Sequence, residues 1–310
     1  MNPHPDFWTW FHRGSGACTY VVSDPVTRHA AVIDPVLDLD LLRSRVVFES
    51  VDRVLEHLGE RQLELDWILE THAHADHLTA AAVLRDRSGG SIGIGSRIVQ
   101  TQSFFASLFN LDQQFRADRS QFDRLFLDGE SFALGRLKIT VLATPGHTPD
   151  SMTYLIGDAA FVGDTLFRPG GGTARCDFPG SDARALYASI RRLYELPDTT
   201  RVFVGHDYPA DGRCPDFETT IGAQKMGNIH LRATTSEAEF VALRAARDRT
   251  LAPPASWVPA LQVNIRAGAL PDPEPNGRRY LKFPIELQGH PLRPCPQGAF
   301  HEHDEKDSPA

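Results

Sequence analysis

One short segment crowds three histidines and an aspartate into seven residues, and it constrains this 310-residue chain more than any other feature. His72, His74, Asp76 and His77 follow closely after the apolar residues 67–69. Imidazole and carboxylate groups are ligands for zinc, iron, manganese and related ions, and core packing gives no reason to collect them. A strand that runs into a tight loop aims several such side chains at one point. The segment therefore predicts a metal site beside the end of a strand.

Three further donors occupy loop-like positions later in the chain. His147, Asp164 and His206 each follow a short apolar stretch and stand directly after a glycine. A lone histidine of this kind is adequately explained as a surface residue or a hydrogen-bonded core residue. The whole ordered set is not explained in that way, because seven potential ligands recur at strand ends. The sequence therefore predicts that the set forms a metal centre.

The ordered set resembles the metallo-β-lactamase superfamily, whose members carry His-x-His-x-Asp-His followed by a later His, Asp and His. The resemblance covers roughly residues 8–210. It implies an α+β fold, an αββα sandwich of two sheets flanked by helices, with the donors on loops at one edge. It says much less about the substrate, because the superfamily includes hydrolases, oxygenases and nucleases.

The seven donors are compatible with either one metal ion or two. In a binuclear site the donors divide as His72, His74 and His147 on one ion, Asp76, His77 and His206 on the other, and Asp164 as the bridge. A water between two such ions is acidified and attacks esters or amides. A mononuclear site would use His72, His147 and Asp164, which suits non-heme Fe(II) and O2 chemistry. The donor list alone does not choose between them.

The loop after Asp164 resembles one particular family within the superfamily. Residues 170–180 resemble the Gly-x-x-Arg-x-Asp-Phe loop of persulfide dioxygenases. Residues 218–221, 228–230 and 261–268 resemble the bacterial branch of that family, often called β-lactamase-like hydrolase or sulfur dioxygenase. This likeness extends over nearly the whole chain except about its last twenty residues.

The family resemblance implies an oxidoreductase that acts in sulfide detoxification. It implies that glutathione persulfide reacts with O2 and water to give sulfite and glutathione. His72, His147 and Asp164 would hold one Fe(II) per chain, while His74, Asp76, His77 and His206 would orient ligands and water or remain as vestigial donors. Arg175 is expected to pair with a glutathione carboxylate, because its planar fork suits carboxylates. Tyr208 is expected to hydrogen-bond the peptide part of the substrate.

Two other functions are compatible with parts of this pattern. A binuclear zinc hydrolase of the glyoxalase II type would share the fold, the donors and a glutathione-containing substrate, but it would hydrolyse acyl-glutathione thioesters. A non-catalytic sulfur sensor or binding protein is the second alternative. The sequence offers no recognition helix or basic patch for such a regulator. Cys176, beside Arg175, is interpreted as an idle or packed thiol, because no thiolate-activating pair is evident.

Composition limits the partners and the setting. The formal net charge of -8 argues against a general nucleic-acid binder, which needs basic surface. The sequence has no run of 18 uncharged apolar residues, so no membrane span is expected. The first residues lack the features of a secretory signal, and the four cysteines form no C-x-x-C pair, so a cytoplasmic setting is expected. The family resemblance suggests a homodimer.

Periodicity and turn signals divide the chain further. Residues 1–250 are expected to form the catalytic domain, and residues 251–310 a helical and irregular extension packed on it, with a frayed polar tail. Helices are predicted to start at residues 78–84 and to span residues 217–228 and 236–249. Ser236 and Glu239 stand at capping-box spacing, Gly59 is a candidate C-terminal helix cap, and Gly157-Asp158 is a hairpin signal.

Overall fold

The computed structural model describes residues 4–111, 115–209 and 213–285. The strands in these residues are β1 Asp6–His12, β2 Ala17–Ser23, β3 His29–Ile33, β4 Val36–Asp40, β5 Arg45–Val47, β6 Glu64–Leu69, β7 Leu78–Thr79, β8 Ser91–Gly95, β9 Arg124–Phe126, β10 Ser131–Leu134, β11 Leu137–Ala143, β12 Met152–Ile156, β13 Ala159–Phe161, β14 Arg201–Phe203 and β15 Glu218–Thr220. The helices are α1 Glu49–Glu60, α2 Ala81–Ser88, α3 Ile98–Leu108, α4 Ala183–Leu193, α5 Ile221–Gly227, α6 Glu237–Asp248 and α7 Trp257–Asn264.

The strands form two six-stranded sheets and one small sheet. The first sheet has the order β1-β2-β3-β6-β8-β9, and its β3, β6, β8 and β9 run parallel to one another. The second sheet has the order β10-β11-β12-β13-β14-β15 and is antiparallel except between β13 and β14. The small sheet, β5-β4-β7, holds the chain just after the histidine-rich segment.

Side-chain alternation along the strands determines which surfaces the two large sheets bury. In β2, Tyr20 and Val22 enter a core that also contains Ile139 and Tyr154 of the second sheet. The intervening Val21 points to the opposite face, where it packs with the helices on the first sheet. Because successive strand residues point to opposite faces, one strand contributes to two cores. The sheets therefore pack face to face as a sandwich.

Amphipathic helices cover both outer faces of the sandwich. Helix α1 presents Val51, Val54 and Leu58 on one stripe, and this stripe packs in the core of the first sheet together with residues of α2, α3 and α7. Helix α4 buries Leu186 and Ile190 against the second sheet, beside residues of α6. The αββα sandwich that the sequence predicts is confirmed.

Three local predictions need correction, and strand pairing is the cause of two of them. Residues 78–84 do not begin as a helix, because β7 pairs with β4 before α2 starts at Ala81. Residues 217–228 are not one helix, because β15 pairs with β14 and Thr220 then caps α5. Gly59 is not the cap of α1, which ends one residue later at Glu60. The capping box of Ser236 and Glu239 and the hairpin at Gly157-Asp158 are confirmed.

The C-terminal part of the described chain packs against the first sheet. Val258, Leu261 and Val263 of α7 lie in the same core as the strands of that sheet. The division into a catalytic domain and an extension stays a prediction. The predicted polar tail lies outside the described residues. Among the residues that the model does describe, none of the helices combines the length and the apolar character needed to cross a bilayer.

Candidate metal centre

Four strands end beside one another and deliver the donors to one edge of the sandwich. His72 follows β6, His147 follows β11, Asp164 follows β13 and His206 follows β14. The loops approach closely at Gly163, whose φ is +51° and where a Cβ would lie 2.4 Å from Oγ1 of Thr71. A side chain at this position would separate the loop of Asp164 from the loop of His72. The glycines before the donors thus permit the convergence that the sequence suggested.

His72, His147 and Asp164 form a compact group that we name the cavity triad. One ligand atom from each residue lies within 4.8 Å of the other two. Nε2 of His147 is 3.7 Å, and Nε2 of His72 is 4.0 Å, from Oδ2 of Asp164. All three residues are at least nine-tenths buried. This spacing allows one ion to contact all three donors.

Backbone and hydroxyl partners fix the orientation of both imidazoles. Nδ1 of His147 donates to the carbonyl of Arg175 at 2.8 Å, and Nδ1 of His72 is 3.0 Å from Oγ1 of Thr71. The Thr71 hydroxyl donates to Asp34, so it accepts from His72. In the neutral form of each ring, Nε2 is therefore the nitrogen without a proton, and it is the atom nearer to Asp164. This arrangement of outer partners is typical of metal-binding histidines.

The protonation states of the cavity triad also suit a metal cation. Burial, together with the charge of His74, holds the pKa of His72 well below its usual range. Burial alone would raise the pKa of Asp164, but the charge and hydrogen bond of His206, followed by His72 and His147, lower it below its usual range. A neutral imidazole and an ionised carboxylate are the forms that bind metal. The residues present thus fit a divalent ion.

The other four donors, His74, Asp76, His77 and His206, form what we name the inner group. His206 lies between two carboxylates, with Nδ1 at 2.6 Å from Oδ1 of Asp164 and Nε2 at 2.6 Å from Oδ2 of Asp76. Burial lowers the pKa of His206, but these two carboxylates raise it well above its usual range. Both ring nitrogens therefore donate, and His206 holds Asp164 through its Nδ1 while it also lines the cavity wall.

His74 faces carboxylates on its other side. Its Nε2 is 3.1 Å from Oδ1 of Asp34 and 3.7 Å from Oε2 of Glu70, and all three residues are buried. Burial opposes protonation of His74, yet Asp34 and then Glu70 raise its pKa to about 9. Burial raises the pKa of Glu70 to about 8. The two carboxylates favour the protonated form of His74, which has no lone pair for a metal, but neither of its buried ring nitrogens makes a hydrogen bond.

His77 completes the inner group. Its Nδ1 donates to the carbonyl of Leu78 at 3.1 Å, and its buried Nε2 has no hydrogen-bond partner. Burial, and the charge of His74 after it, lower the pKa of His77 to about 4. One ligand atom each from His74, Asp76 and His77 lies within 4.8 Å of the others. Proximity alone therefore does not distinguish this group from the cavity triad, whereas its hydrogen bonds and charges do.

Three residues that the sequence analysis did not single out hold the histidine-rich loop. Asp34 accepts from the backbone of Thr71 at 2.7 Å, and Asp150 accepts from the backbone of Ala73 at 2.7 Å. Asn264 of α7 donates to the carbonyls of His74 and His77 at 2.7 and 2.8 Å. The sequence features that could have identified these residues were weak. Asp34-Pro35 resembles a simple turn, and Asn264 comes from a helix that is distant in sequence from the loop.

A cavity of about 770 Å³ opens in front of the cavity triad. His147 and Asp164 lie on its wall together with Phe167, Arg175 and Tyr208. The ring of Tyr208 is stacked on that of His206, with centroids 5.7 Å apart, and the residue is 63% exposed. Two residues predicted to bind substrate thus line the same cavity as two of the predicted metal ligands.

Arg175 has protein partners for both ends of its guanidinium. Nε and Nη2 bind the two carboxylate oxygens of Asp177 at 2.5 and 2.6 Å, and Nη1 donates to the carbonyl of Ala252 at 2.7 Å. Its expected role in binding a glutathione carboxylate stays a prediction. Cys176, the next residue, donates its backbone N–H to Asp248 at 2.9 Å, and burial raises the pKa of its thiol to about 12.

Comparison with known proteins defines the family. The sequence matches the family model described as the metallo-beta-lactamase superfamily over residues 13–206. The match covers more than half of the 310 residues, and the chain belongs to this superfamily. The superfamily predicted from the motifs is confirmed.

The relatives carry several different names. The chain is 48% identical over 281 residues to a beta-lactamase hydrolase-like protein of Xylella fastidiosa, covering 90% of this chain and 65% of that protein. It is 44% identical over 269 residues to glyoxylase B2 of Dictyostelium discoideum, covering 86% and 91%. It is 29% identical over 266 residues to the mitochondrial persulfide dioxygenase ETHE1 of Mus musculus, covering 85% and 89%. The chain thus spans about two thirds of the length of the Xylella relative.

A solved structure agrees with the fold. The crystal structure of ETHE1 from Myxococcus xanthus superposes with a TM-score of 0.69 at 34% sequence identity, covering 85% of this chain and all of that chain. The fold, the family and the clustered donors together indicate a member of the metallo-β-lactamase superfamily with a metal-binding site.

Proposed function

We propose that this protein is a persulfide dioxygenase. It would oxidise glutathione persulfide with O2 and water to sulfite and glutathione, using one Fe(II) per chain held by His72, His147 and Asp164. The atoms and electrons balance: the terminal sulfur of the persulfide loses four electrons to O2, two atoms of oxygen in sulfite come from O2 and the third from water. When bound, Fe(II) supplies open coordination positions and the redox chemistry that O2 needs.

One observation carries the proposal: two histidines of the inner group lie against protein carboxylates. His206 is bound between Asp76 and Asp164, and His74 lies against Asp34 and Glu70. His72, His147 and Asp164 form a set of two imidazoles and one carboxylate, and His147 and Asp164 of this set line the large cavity. Two histidines and one carboxylate with open positions are typical of non-heme Fe(II) oxygenases. A tetrahedral structural site would instead be closed by a fourth ligand.

The protein residues would contribute binding and orientation. Asp76 and His206 hold the carboxylate of Asp164, and the carbonyl of Arg175 holds His147. The cavity of about 770 Å³ is large enough for a tripeptide thiol, because ligand cavities commonly range from about 300 to 1,000 Å³. Tyr208, exposed on the cavity wall, would hydrogen-bond the peptide part of the substrate.

The names of two relatives support the same function. The Mus musculus relative is a persulfide dioxygenase named ETHE1, and the superposed Myxococcus xanthus structure carries the same name. A cytoplasmic setting, a homodimeric state and the absence of a nucleic-acid or membrane partner stay predictions.

The main alternative is a binuclear hydrolase of acyl-glutathione thioesters. It is favoured by the greater similarity to the Dictyostelium discoideum protein named glyoxylase B2. This alternative requires His74 to join His72 and His147 on one ion and Asp76, His77 and His206 to bind a second. His74, Asp76 and His206 would then have to release their present partners. A non-catalytic sulfur sensor, the other alternative, requires no turnover at all.

One assay on the purified protein separates the three functions. Iron-loaded protein given glutathione persulfide should consume O2 and release sulfite in equal amounts, and it should leave an acyl-glutathione thioester intact. Anomalous scattering at the iron edge should locate one iron among His72, His147 and Asp164. Thioester hydrolysis with two fully occupied metal ions would instead establish the hydrolase. Binding of the persulfide without O2 consumption or hydrolysis would establish the sensor.

A further inference from the structure

The wall of the cavity in front of the cavity triad is rich in cationic side chains. Its five arginines are Arg168, Arg175, Arg213, Arg244 and Arg247. A substrate that carries carboxylates far from its reacting sulfur would be attracted by any of these charges that is not already neutralised. The ion pairs therefore determine which arginine is available.

Four of these arginines have an aspartate partner. The pairs are Arg168 with Asp216 at 2.7 Å, Arg175 with Asp177 at 2.5 Å, Arg213 with Asp207 at 2.8 Å, and Arg244 with Asp248. Arg244 is in addition only 1% exposed. A charge already compensated by a neighbouring carboxylate contributes little to the attraction of a second anion.

Arg247 differs from the other four. It is exposed on the last turn of α6, and within residues 4–111, 115–209 and 213–285 no acidic side chain forms an ion pair with it. The adjacent Asp248 does not compensate it, because its carboxylate binds Arg244 and the backbone N–H of Cys176. The charge of Arg247 therefore faces the cavity without a counter-ion from the described protein.

Apolar side chains line the same cavity as this charge. Tyr208 is 63%, Ile229 52% and Leu251 38% exposed, and all three contribute to the cavity wall. Exposed apolar residues grouped around a cavity mark a binding surface more often than scattered ones. The combination suits a ligand with an uncharged chain that ends in an anion.

We propose that Arg247 binds the glycine carboxylate of the glutathionyl substrate. The inference rests on the proposed function for its substrate class. The γ-glutamyl end of glutathione carries an ammonium next to its carboxylate and is locally neutral, whereas the glycine end carries an isolated negative charge. An uncompensated guanidinium therefore attracts the glycine end more strongly, and its planar fork matches the carboxylate.

The experiment measures binding rather than turnover. Glutathione and its glycine monoethyl ester are titrated calorimetrically into the iron-loaded protein and two variants, Arg247→Gln and Arg249→Gln. Arg249 is the matched control, because it is exposed one residue beyond α6, makes the same change in net charge and lines a separate cavity. Circular dichroism checks that both variants are folded.

The expected pattern is specific to a carboxylate contact. Arg247→Gln should weaken glutathione binding about tenfold or more, as expected for a charge-assisted bidentate contact, while Arg249→Gln should change it less than about twofold. The ester should bind the wild type as weakly as glutathione binds Arg247→Gln, and Arg247→Gln should no longer distinguish the two ligands. Arg247→Lys should recover part of the affinity.

Two outcomes would overturn the inference. Equal affinity of glutathione for Arg247→Gln and Arg249→Gln is one, and equal weakening of glutathione and its ester by Arg247→Gln is the other. The proposed function is judged separately by O2 uptake. Normal O2 uptake with an unchanged KM in Arg247→Gln removes only the role of Arg247. The expected binding pattern without any O2 uptake removes only the dioxygenase assignment.

Discussion

The cavity triad and the inner group are made from the same kinds of side chain, yet the structure gives them opposite surroundings. In the cavity triad the imidazole Nε2 atoms of His72 and His147 lie 3.7–4.0 Å from a carboxylate oxygen of Asp164, and His147 and Asp164 line the cavity. In the inner group, His206 and His74 contact carboxylates at 2.6 and 3.1 Å. The difference shows that the ability of a side chain to bind a metal ion depends on the charged groups already beside it as well as on its residue type.

Because the inner group is buried, the loss of one of its ion-pair partners should cost more stability than the same loss at the surface. A buried charge without a partner is costly, so His74 and His206 are stabilised as cations only by the carboxylates around them. Removing one partner would leave the other uncompensated. The inner group should therefore tolerate substitution less well as a structural unit than surface ion pairs do, but it should affect iron only through Asp164.

The largest effect is expected when the only carboxylate of the cavity triad is removed. Asp164→Ala leaves two neutral imidazoles for a dication, and it also leaves His206 without one of its partners. Iron content and O2 uptake should fall together by about a hundredfold or more, above the tenfold to hundredfold typical of an outer partner. Metal analysis and an O2 electrode measure both. Retained iron with normal turnover would show that Asp76 is the carboxylate ligand instead.

A smaller effect is expected at the carboxylate of the inner group. Asp76→Asn weakens the contact with Nε2 of His206 but leaves all three members of the cavity triad in place. Iron affinity or O2 uptake should fall about tenfold to a hundredfold, as for other outer partners of metal ligands, and the iron content should still reach one per chain at saturating metal. A loss of one of two bound metal ions would contradict the comparison and favour the binuclear hydrolase.

An amide on α7 tests how firmly the histidine-rich loop is held. Asn264 binds the carbonyls of His74 and His77 and the backbone N–H of Thr79, all at 2.7–2.8 Å. Asn264→Leu should lower the free energy of unfolding by about 2–4 kcal/mol, because buried backbone groups lose their partners, and it should also weaken iron binding. Urea denaturation and iron titration measure the two effects.

The control for this variant is another buried amide on the same helix. Gln262 binds the carbonyls of Val258 and Lys282 and makes no hydrogen bond to the histidine-rich loop. Gln262→Leu should lower the stability without changing the affinity for iron. Equal loss of iron affinity in both variants would mean that Asn264 acts through the general stability of α7.

The smallest effect at neutral pH is expected at Glu70. Burial raises its pKa from 4.5 to about 8, so the folded protein keeps a proton that the unfolded chain releases. The resulting stabilisation is fully present below about pH 4.5 and is lost as the pH rises through about 8. Glu70→Gln removes this titration and should keep normal iron content at pH 7. Its free energy of unfolding should fall less steeply with pH, by at most about 1.4 kcal/mol per pH unit.

Urea unfolding of the wild type and Glu70→Gln at several pH values between 5 and 9 measures the two slopes. Identical slopes would mean that Glu70 is ionised throughout this range. His74 would then face two charged carboxylates, and its contrast with the histidines of the cavity triad would be even stronger.

The sequence predicted those features that depend on the order of neighbouring residues. The strands before His72, His147, Asp164 and His206 were predictable, because short apolar runs that give way to polar residues, with a glycine before the last three donors, indicate strand ends. The prediction was wrong where a partner distant in sequence determines the secondary structure, as at Leu78 and Thr79, which pair with β4 instead of starting a helix. Local order likewise did not indicate the partners of Arg175, which include the backbone of Ala252, 77 residues further along.

The sequence by itself determined the order of the seven candidate donors, the sandwich that presents them and the superfamily. Only the tertiary structure decided which of these donors lie against carboxylates of the protein. Asp34, Glu70 and Asn264 reach the histidine-rich loop from elements that local patterns do not connect to it. The reason is physical: residue types and spacing specify which groups could bind an ion, whereas protonation and orientation depend on burial and on charges brought close by folding.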